Sequence, residues 1–528
     1  MRNLLIKIGL ILSAVAGLFI WFRSDASVAA GSHPLGMDDS SGWLAANSHN
    51  PAVLDTLEAA NTGVLRIEIP WNMVEKSPGA FVWQFESDNG TVNLIQLFSR
   101  LRRHGIEPVA VLSGGPIYLS HLYPQQPIYR EQLLESLERF AAAAAEQFGS
   151  DVRYWQIGSE INEAETWGRL QFPLADAPLA VPDAILYSEM LQRAYHAIKQ
   201  KDSSSTILMG DLIFSAECAN HPNRFLQAIA NQGAWYAFDI VNLSIPQMAS
   251  APESAVIDSC GIMPQQLSGI PSADSIQAVA ELISAISEKP LWIHDLHFSA
   301  SFLENEASAR GTIPEAVASD WLARASGLLR AFGGVDRVFW RFDPLDNTPG
   351  LLALQTYANL SQTLTGRYDG SGLPQNRDAF ALRFRGNSKV SILAWFAHSG
   401  DEASAMMING LQGYEVTAFS ADSDSLKTKD GFALPVDNGG NIALMVSERP
   451  VLISGHPTDF KQMITQTIED SAAQAKEGMK AKTNNWMQAQ KAKAAEKVSQ
   501  WVQEKQASLL NSLRASLEAW LRKSLGLV

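Results

Sequence analysis

Cysteine is nearly absent: Cys218 and Cys260 are the only two in 528 residues. That excludes a disulfide-dense scaffold and a four-cysteine zinc module. His-Glu-x-x-His, Cys-x-x-Cys and EF-hand patterns are missing as well, so neither a metal nor any other cofactor is expected. No Gly-rich phosphate loop follows a strand-like run, and there is no G-x-S-x-G nucleophile elbow. Basic charge is also short. Forty-one Lys and Arg face 55 Asp and Glu, for a net charge of −14, the opposite of the basic footprint a nucleic-acid partner requires. The deficit is uneven: residues 457–528 carry 11 basic and 7 acidic side chains, net +4, which leaves −18 on residues 1–456.

What is present is apolar mass, with 46% hydrophobic residues, 14 Trp and 22 Phe. That is enough to bury a large core, and the length allows more than one domain. Residues 1–30 open with Arg2 and Lys7, continue through an apolar run from Ile8 to Phe22 and reach small residues at Val28-Ala29-Ala30. This order fits a cleaved secretory signal or an uncleaved membrane anchor, with a buried core helix as the plain alternative. Either of the first two puts the body of the chain outside the cytoplasm, periplasmic or facing the extracellular side. In that setting Cys218 and Cys260 form a disulfide candidate; two unpaired buried thiols are the alternative.

Between residues 31 and 369, apolar strand-like runs alternate with amphipathic helical ones. Strands are expected at 64–69, 106–112, 152–158, 206–212, 238–245, 290–296 and 337–342, with a first one near Ser32 to Met37. Nearly continuous apolar runs of this length suit strands buried on both faces. The helical run 129–148 ends on Gly149, a stop signal. Eight such units predict a (β/α)8 TIM barrel, and an open doubly wound sheet is the runner-up. Residues 370–456 switch to a period of two, with a hairpin around Gly386-Asn387 and a strand pair in 441–455, which predicts a small β-sandwich. Residues 457–528 are rich in Ala, Gln and Lys, with Leu509, Leu513, Leu517, Leu521 and Leu525 at four-residue steps. An amphipathic helical tail follows, docking on its own protein, on a membrane or on a partner protein.

In such barrels the chemistry sits at the C-terminal strand ends. Those positions carry Arg66, Trp71 and Glu75 (second strand), Glu160 (fourth), Ser244 (sixth), His294 and Asp295 (seventh) and Trp340 (eighth). Two carboxylates facing each other across a mouth suit glycoside hydrolysis, in which one protonates the leaving oxygen and the other attacks or activates water. Arg66 beside Asp295 would keep it ionised. Trp71, Trp155 and Trp340 would offer faces for sugar rings. His294 would hydrogen-bond Asp295 or pack. Glu163 and Glu165 read as rim charges.

RIEIPWNMVEKSPGAFVWQ, WQIGSEIN and KPLWIHDLH resemble the second-, fourth- and seventh-strand segments of clan A retaining glycoside hydrolases, notably family 39. The resemblance spans about residues 30–455 and implies that Glu160 is the acid/base and Asp295 the nucleophile. The substrate would be a polysaccharide or oligosaccharide of the envelope or of a secreted polymer, since some relatives accompany exopolysaccharide synthesis. Three positions depart from the family pattern. Ser159 stands where the family has the Asn that binds the sugar 2-hydroxyl, Ser244 and Pro246 replace His-x-Tyr, and Asp295 replaces Glu. Retaining chemistry wants carboxyls about 5–5.5 Å apart, and losing a methylene withdraws one by about 1–1.5 Å. The wider gap leads either to inverting hydrolysis, which works at about 6.5–9.5 Å, or to a glycan-binding scaffold without catalysis.

Overall fold

The computed structural model describes residues 33–458, except 123–125, 172–178, 214–219, 246–247, 249–250, 254–288, 332–334, 343–350, 370–378, 387–388, 398–403 and 422–430. Cys218 and Cys260, the N-terminal segment 1–30 and the tail beyond Thr458 lie outside the described residues. Among those described, no helix is long and apolar enough to cross a membrane.

Eight parallel strands form the barrel: β1 (Leu35–Asp38), β2 (Val64–Pro70), β3 (Glu107–Ser113), β4 (Tyr154–Ile157), β5 (Thr206–Met209), β6 (Val241–Ser244), β7 (Leu291–Leu296) and β8 (Val335–Arg341). Neighbours pair in sequence order and β8 returns to β1. A short strand, Leu212–Ile213, continues β5 and pairs with β6, while a parallel bridge from Leu208 to Ile240 completes the ring. The expected (β/α)8 barrel is therefore the fold, and each expected strand lies on an observed one. The doubly wound alternative has open edges, which this ring lacks.

Alternation along the strands sorts the side chains. Val64, Val109, Tyr154, Leu208, Ile240, Trp292 and Phe339 form an apolar plug of their own inside the barrel. Gly36 makes room for it, since a Cβ there would sit 2.5 Å from the Phe339 ring. One pleat further along, the strands bring in Arg66, Gln156, Asn242 and His294, a polar layer that the plug separates from the far end. The odd neighbours face outward. Trp155 joins the large core between sheet and helices, and Trp340 donates its indole N–H to Ser326 Oγ on helix Pro314–Ala331 at 2.9 Å.

The C-terminal part is antiparallel. Arg367–Tyr368, Ala379–Gly386, Lys389–Phe396, Val451–Pro457, Tyr414–Ser420 and Phe432–Leu434 form one sheet in that order, and Ser404–Ile408 pairs with Ile442–Val446 in another. This is the expected β-sandwich, with the hairpin joined through residues 387–388. The sequence-based pairing within 441–455 is corrected: Ile442–Val446 and Val451–Pro457 are both strands but belong to different sheets. The stretch between them contains Pro450, which cannot donate to a ladder. Helix Pro314–Ala331 meets this domain at Gly327, where a Cβ would lie 2.7 Å from Leu393 Cδ2. Beside it, Glu253 accepts hydrogen bonds from Trp395 Nε1 at 2.6 Å and Arg324 Nε at 2.7 Å.

Candidate active site

Only three non-glycine residues among those described have positive φ: Asn61, Glu160 and Asp295, with Glu160 at 46° and Asp295 at 61°. Left-handed backbone disfavours L-residues and gathers where the surroundings enforce it for function. The enforcement is visible at both strand exits. Gly158 takes φ 82° directly after β4, and the Ile161 N–H donates to Asp211 O at 2.9 Å. Asn162 pins the same turn to the β5 exit, donating to Ile213 O at 2.7 Å and accepting from Ile213 N–H at 2.9 Å. On β7 the register against β8 shifts between Ile293 and Leu296, a bulge that re-aims Asp295.

Below these two acids lies a closed charge network. Arg66 Nη1 donates to Asp38 Oδ1 at 3.0 Å, Nε to Gln156 Oε1 at 3.0 Å and Nη2 to Ser159 Oγ at 3.1 Å, and Nη2 lies 3.5 Å from Asp211 Oδ1. His294 stands between the two aspartates, Nδ1 3.0 Å from Asp38 Oδ2 and Nε2 3.1 Å from Asp211 Oδ1. Burial alone would lower the imidazole, but the Asp211 charge and the bonds to both carboxylates outweigh it and raise His294 to about 9. Burial works against Asp211 too, and His294 and Arg66 still hold it well below the usual carboxylate range. Two cations and two anions thus neutralise one another at the barrel axis.

Two expectations about this region need correction. Arg66 does not serve Asp295, because its guanidinium is bonded to Asp38, Gln156 and Ser159; Arg341 does, with Nε to Asp295 Oδ1 at 2.7 Å and Nη2 to Oδ2 at 3.1 Å. His294 bonds Asp38 rather than the Asp295 side chain, because consecutive strand residues point to opposite sides. It is His297 whose Nδ1 contacts Asp295 O, at 2.7 Å.

Glu160 sits in a different environment. Burial, then the charges of Asp211 and Asp295, push its carboxyl up to about 7 against the opposing pull of His294 and Arg66. It lines a cavity of about 630 Å³ with Ser159, Glu68, Ser113 and Trp71. The other tryptophans are elsewhere. Trp155 and Trp340 are fully buried on the outer face and reach no cleft, while Trp71 forms part of the cavity wall, with its ring stacked on Phe140 at 5.0 Å and its N–H on Glu75 at 2.6 Å. Ser244 reaches the inner side of the β6 exit, buried and with no hydrogen-bond partner for its hydroxyl among the described residues. Glu165 is an exposed rim charge paired with Arg169 at 2.5 Å.

Residue-level reading missed Asp38, Asp211, Glu68, Gln156 and Arg341. Part of their signal was available: Asp38, Glu68, Gln156 and Arg341 are polar, near a strand's C-terminal end and in phase with the inward positions, whereas Asp211 lies past the end of β5, out of phase with the inward Leu208.

No family model matches the chain, and no curated protein matches it in sequence. Solved structures do match in fold. A family 39 glycoside hydrolase from Bacteroides cellulosilyticus aligns at TM-score 0.58 and 16% identity, over 80% of this chain and 81% of that one. A glucosidase from Croceicoccus marinus aligns at 0.51 and 13%, over 80% and 96%. A monomeric beta-xylosidase from Caulobacter crescentus aligns at 0.50 and 15%, over 81% and 96%. The chain thus shares its two-domain fold with glycoside hydrolases of clan A, family 39 among them. At these identities the likeness extends to architecture alone.

Proposed function

We propose that this protein is a glycoside hydrolase in which Glu160 is the general acid/base and Asp295 the nucleophile or water-activating base. One observation carries the reading: two carboxylates at the exits of β4 and β7 are held in left-handed backbone yet given opposite surroundings. Glu160, raised to about 7, retains a proton to give to a leaving oxygen at neutral pH. Asp295 is held by a bidentate guanidinium, as an attacking or base carboxylate requires. A buried acid that keeps its proton and a carboxylate clamped by an arginine divide the two roles.

The signal-like or anchor-like segment 1–30 supports an exported protein whose substrate is an envelope or secreted polysaccharide, and the basic tail supports a membrane or protein contact. Reducing-end release from candidate extracellular polysaccharides by wild type, Glu160→Gln and Asp295→Asn tests the catalytic assignment. Release by wild type alone is expected. Equal release by all three would remove both residues from catalysis, and binding without release by wild type would favour the glycan-holding scaffold that Ser159 and the shortened Asp295 also suit.

A further inference from the structure

Asp295 stands on a bulge. The register of β7 against β8 pairs Ile293 with Val338 and then Leu296 with Trp340, so β7 uses one residue more than its neighbour over this stretch. A bulge takes residues out of the regular ladder, and Asp295 sits in it at φ 61°, a conformation that its surroundings have to enforce. Arg341 fixes the far end of the side chain. It does not fix the backbone turn from which the side chain starts.

His297 supplies that second hold. Its Nδ1 lies 2.7 Å from Asp295 O and 3.7 Å from Asp295 Oδ1. A carbonyl oxygen only accepts, so Nδ1 is the nitrogen that carries the proton. The donor is itself anchored. His297 O accepts from Met248 N–H at 3.2 Å, Ser299 N–H donates to Met248 O at 2.8 Å, and Phe298 forms a parallel bridge with Met248. The ring therefore springs from backbone tied to the segment after β6, and only 7% of the residue is exposed. Burial lowers the imidazole and Arg341 adds to that effect, against the pull of Asp295 and Asp38. At neutral pH the ring gives Asp295 a hydrogen bond without placing a second positive charge beside that of Arg341.

We propose that His297 is a positioning residue for the reaction: by pinning the carbonyl of Asp295 it holds the bulge that aims the carboxylate, and Arg341 then sets the carboxylate's tilt. The proposal rests on the glycoside hydrolase reading of the same cleft. A side chain already one methylene short tolerates little further retreat, because a displacement of about 1 Å can cost about 10²-fold in rate.

Two substitutions separate the hydrogen bond from the packing. His297→Leu keeps most of the volume and loses the donor, whereas His297→Asn puts an amide N–H close to the place of Nδ1. The probes are 2,4-dinitrophenyl β-glucoside and β-xyloside, whose leaving group departs without a proton from Glu160, so that the rate reports on Asp295. His297→Leu should lower kcat by about 10²-fold with KM within about twofold of wild type, and His297→Asn should recover at least about tenfold of that loss. In crystal structures, Asp295 should leave its left-handed conformation or lose a bond to Arg341 in His297→Leu, and keep both features in His297→Asn. An unchanged kcat in His297→Leu, a His297→Asn protein as slow as His297→Leu, or an Asp295 that stays in place without the imidazole would overturn the proposal. No dinitrophenolate release by wild type, together with the expected crystal structures, would count against the hydrolase reading and leave the hold of His297 on Asp295 standing.

Discussion

Arg341 holds Asp295 with two parallel hydrogen bonds, Nε to Oδ1 at 2.7 Å and Nη2 to Oδ2 at 3.1 Å. The arginine that serves this carboxylate therefore comes from the neighbouring strand, and Arg66 belongs to the layer beneath. Arg341→Met should lower kcat by about 10²–10³-fold, because a misplaced reacting group is costly. The partly exposed Arg341 site predicts little change in melting temperature, and an unchanged kcat with a lowered melting temperature would make this pair structural.

Glu160 works as an acid only while protonated. With its carboxyl at about 7, kcat/KM should fall about tenfold per pH unit above neutrality. Asp211→Asn removes a negative charge that raises Glu160, so the alkaline limb should move to lower pH. A limb that stays in place in this variant would separate Asp211 from the acid.

The same shift costs stability. A carboxyl raised from 4.5 to about 7 in the fold favours the folded state's proton, so its contribution is lost as pH rises through that window. The loss comes to about 3 kcal/mol on the scale of 1.36 kcal/mol per unit. Glu160→Gln should therefore melt higher than wild type at pH 8 and about equally at pH 4.5. Thermal unfolding at both values checks this, and equal melting temperatures at pH 8 would contradict it.

The contribution of His294 is lost in the same direction, but over a higher pH window. Raised from 6.5 to about 9, it contributes stability that is fully present below about pH 6.5 and disappears as pH rises through 9. Removing it leaves two buried aspartates to the single cation of Arg66, and an under-compensated buried charge of this kind costs up to about 3–5 kcal/mol. His294→Asn should lower the denaturation midpoint at pH 6 and flatten the alkaline fall; a variant as stable as wild type at pH 6 would show that the network carries no stability.

The missing methylene at Asp295 predicts a product of inverted anomeric configuration, read by proton NMR during the first turnover minutes. Retention would mean that the bulge on β7 restores the reach that the side chain lost.

The barrel was legible because strands buried on both faces write continuous apolar runs, and because Glu160 follows such a run within a recognisable motif. Trp155 and Trp340 were misread for one physical reason. A strand end brings alternate residues to opposite faces, so position near a mouth does not say which side a ring takes. Arg341 could have been found by counting two from the inward Phe339. Which arginine meets Asp295 could not, because it depends on the one-residue bulge on β7. The strand pairing in the sandwich was lost similarly, since two adjacent runs separated by Pro450 look like a hairpin until the sheets are assigned.

Held between two carboxylates, both ring nitrogens of His294 carry protons sheltered from solvent. Such protons exchange slowly and give low-field imidazole resonances in the free protein. The integrity of the site can thus be followed by NMR in any variant before a single substrate has been found.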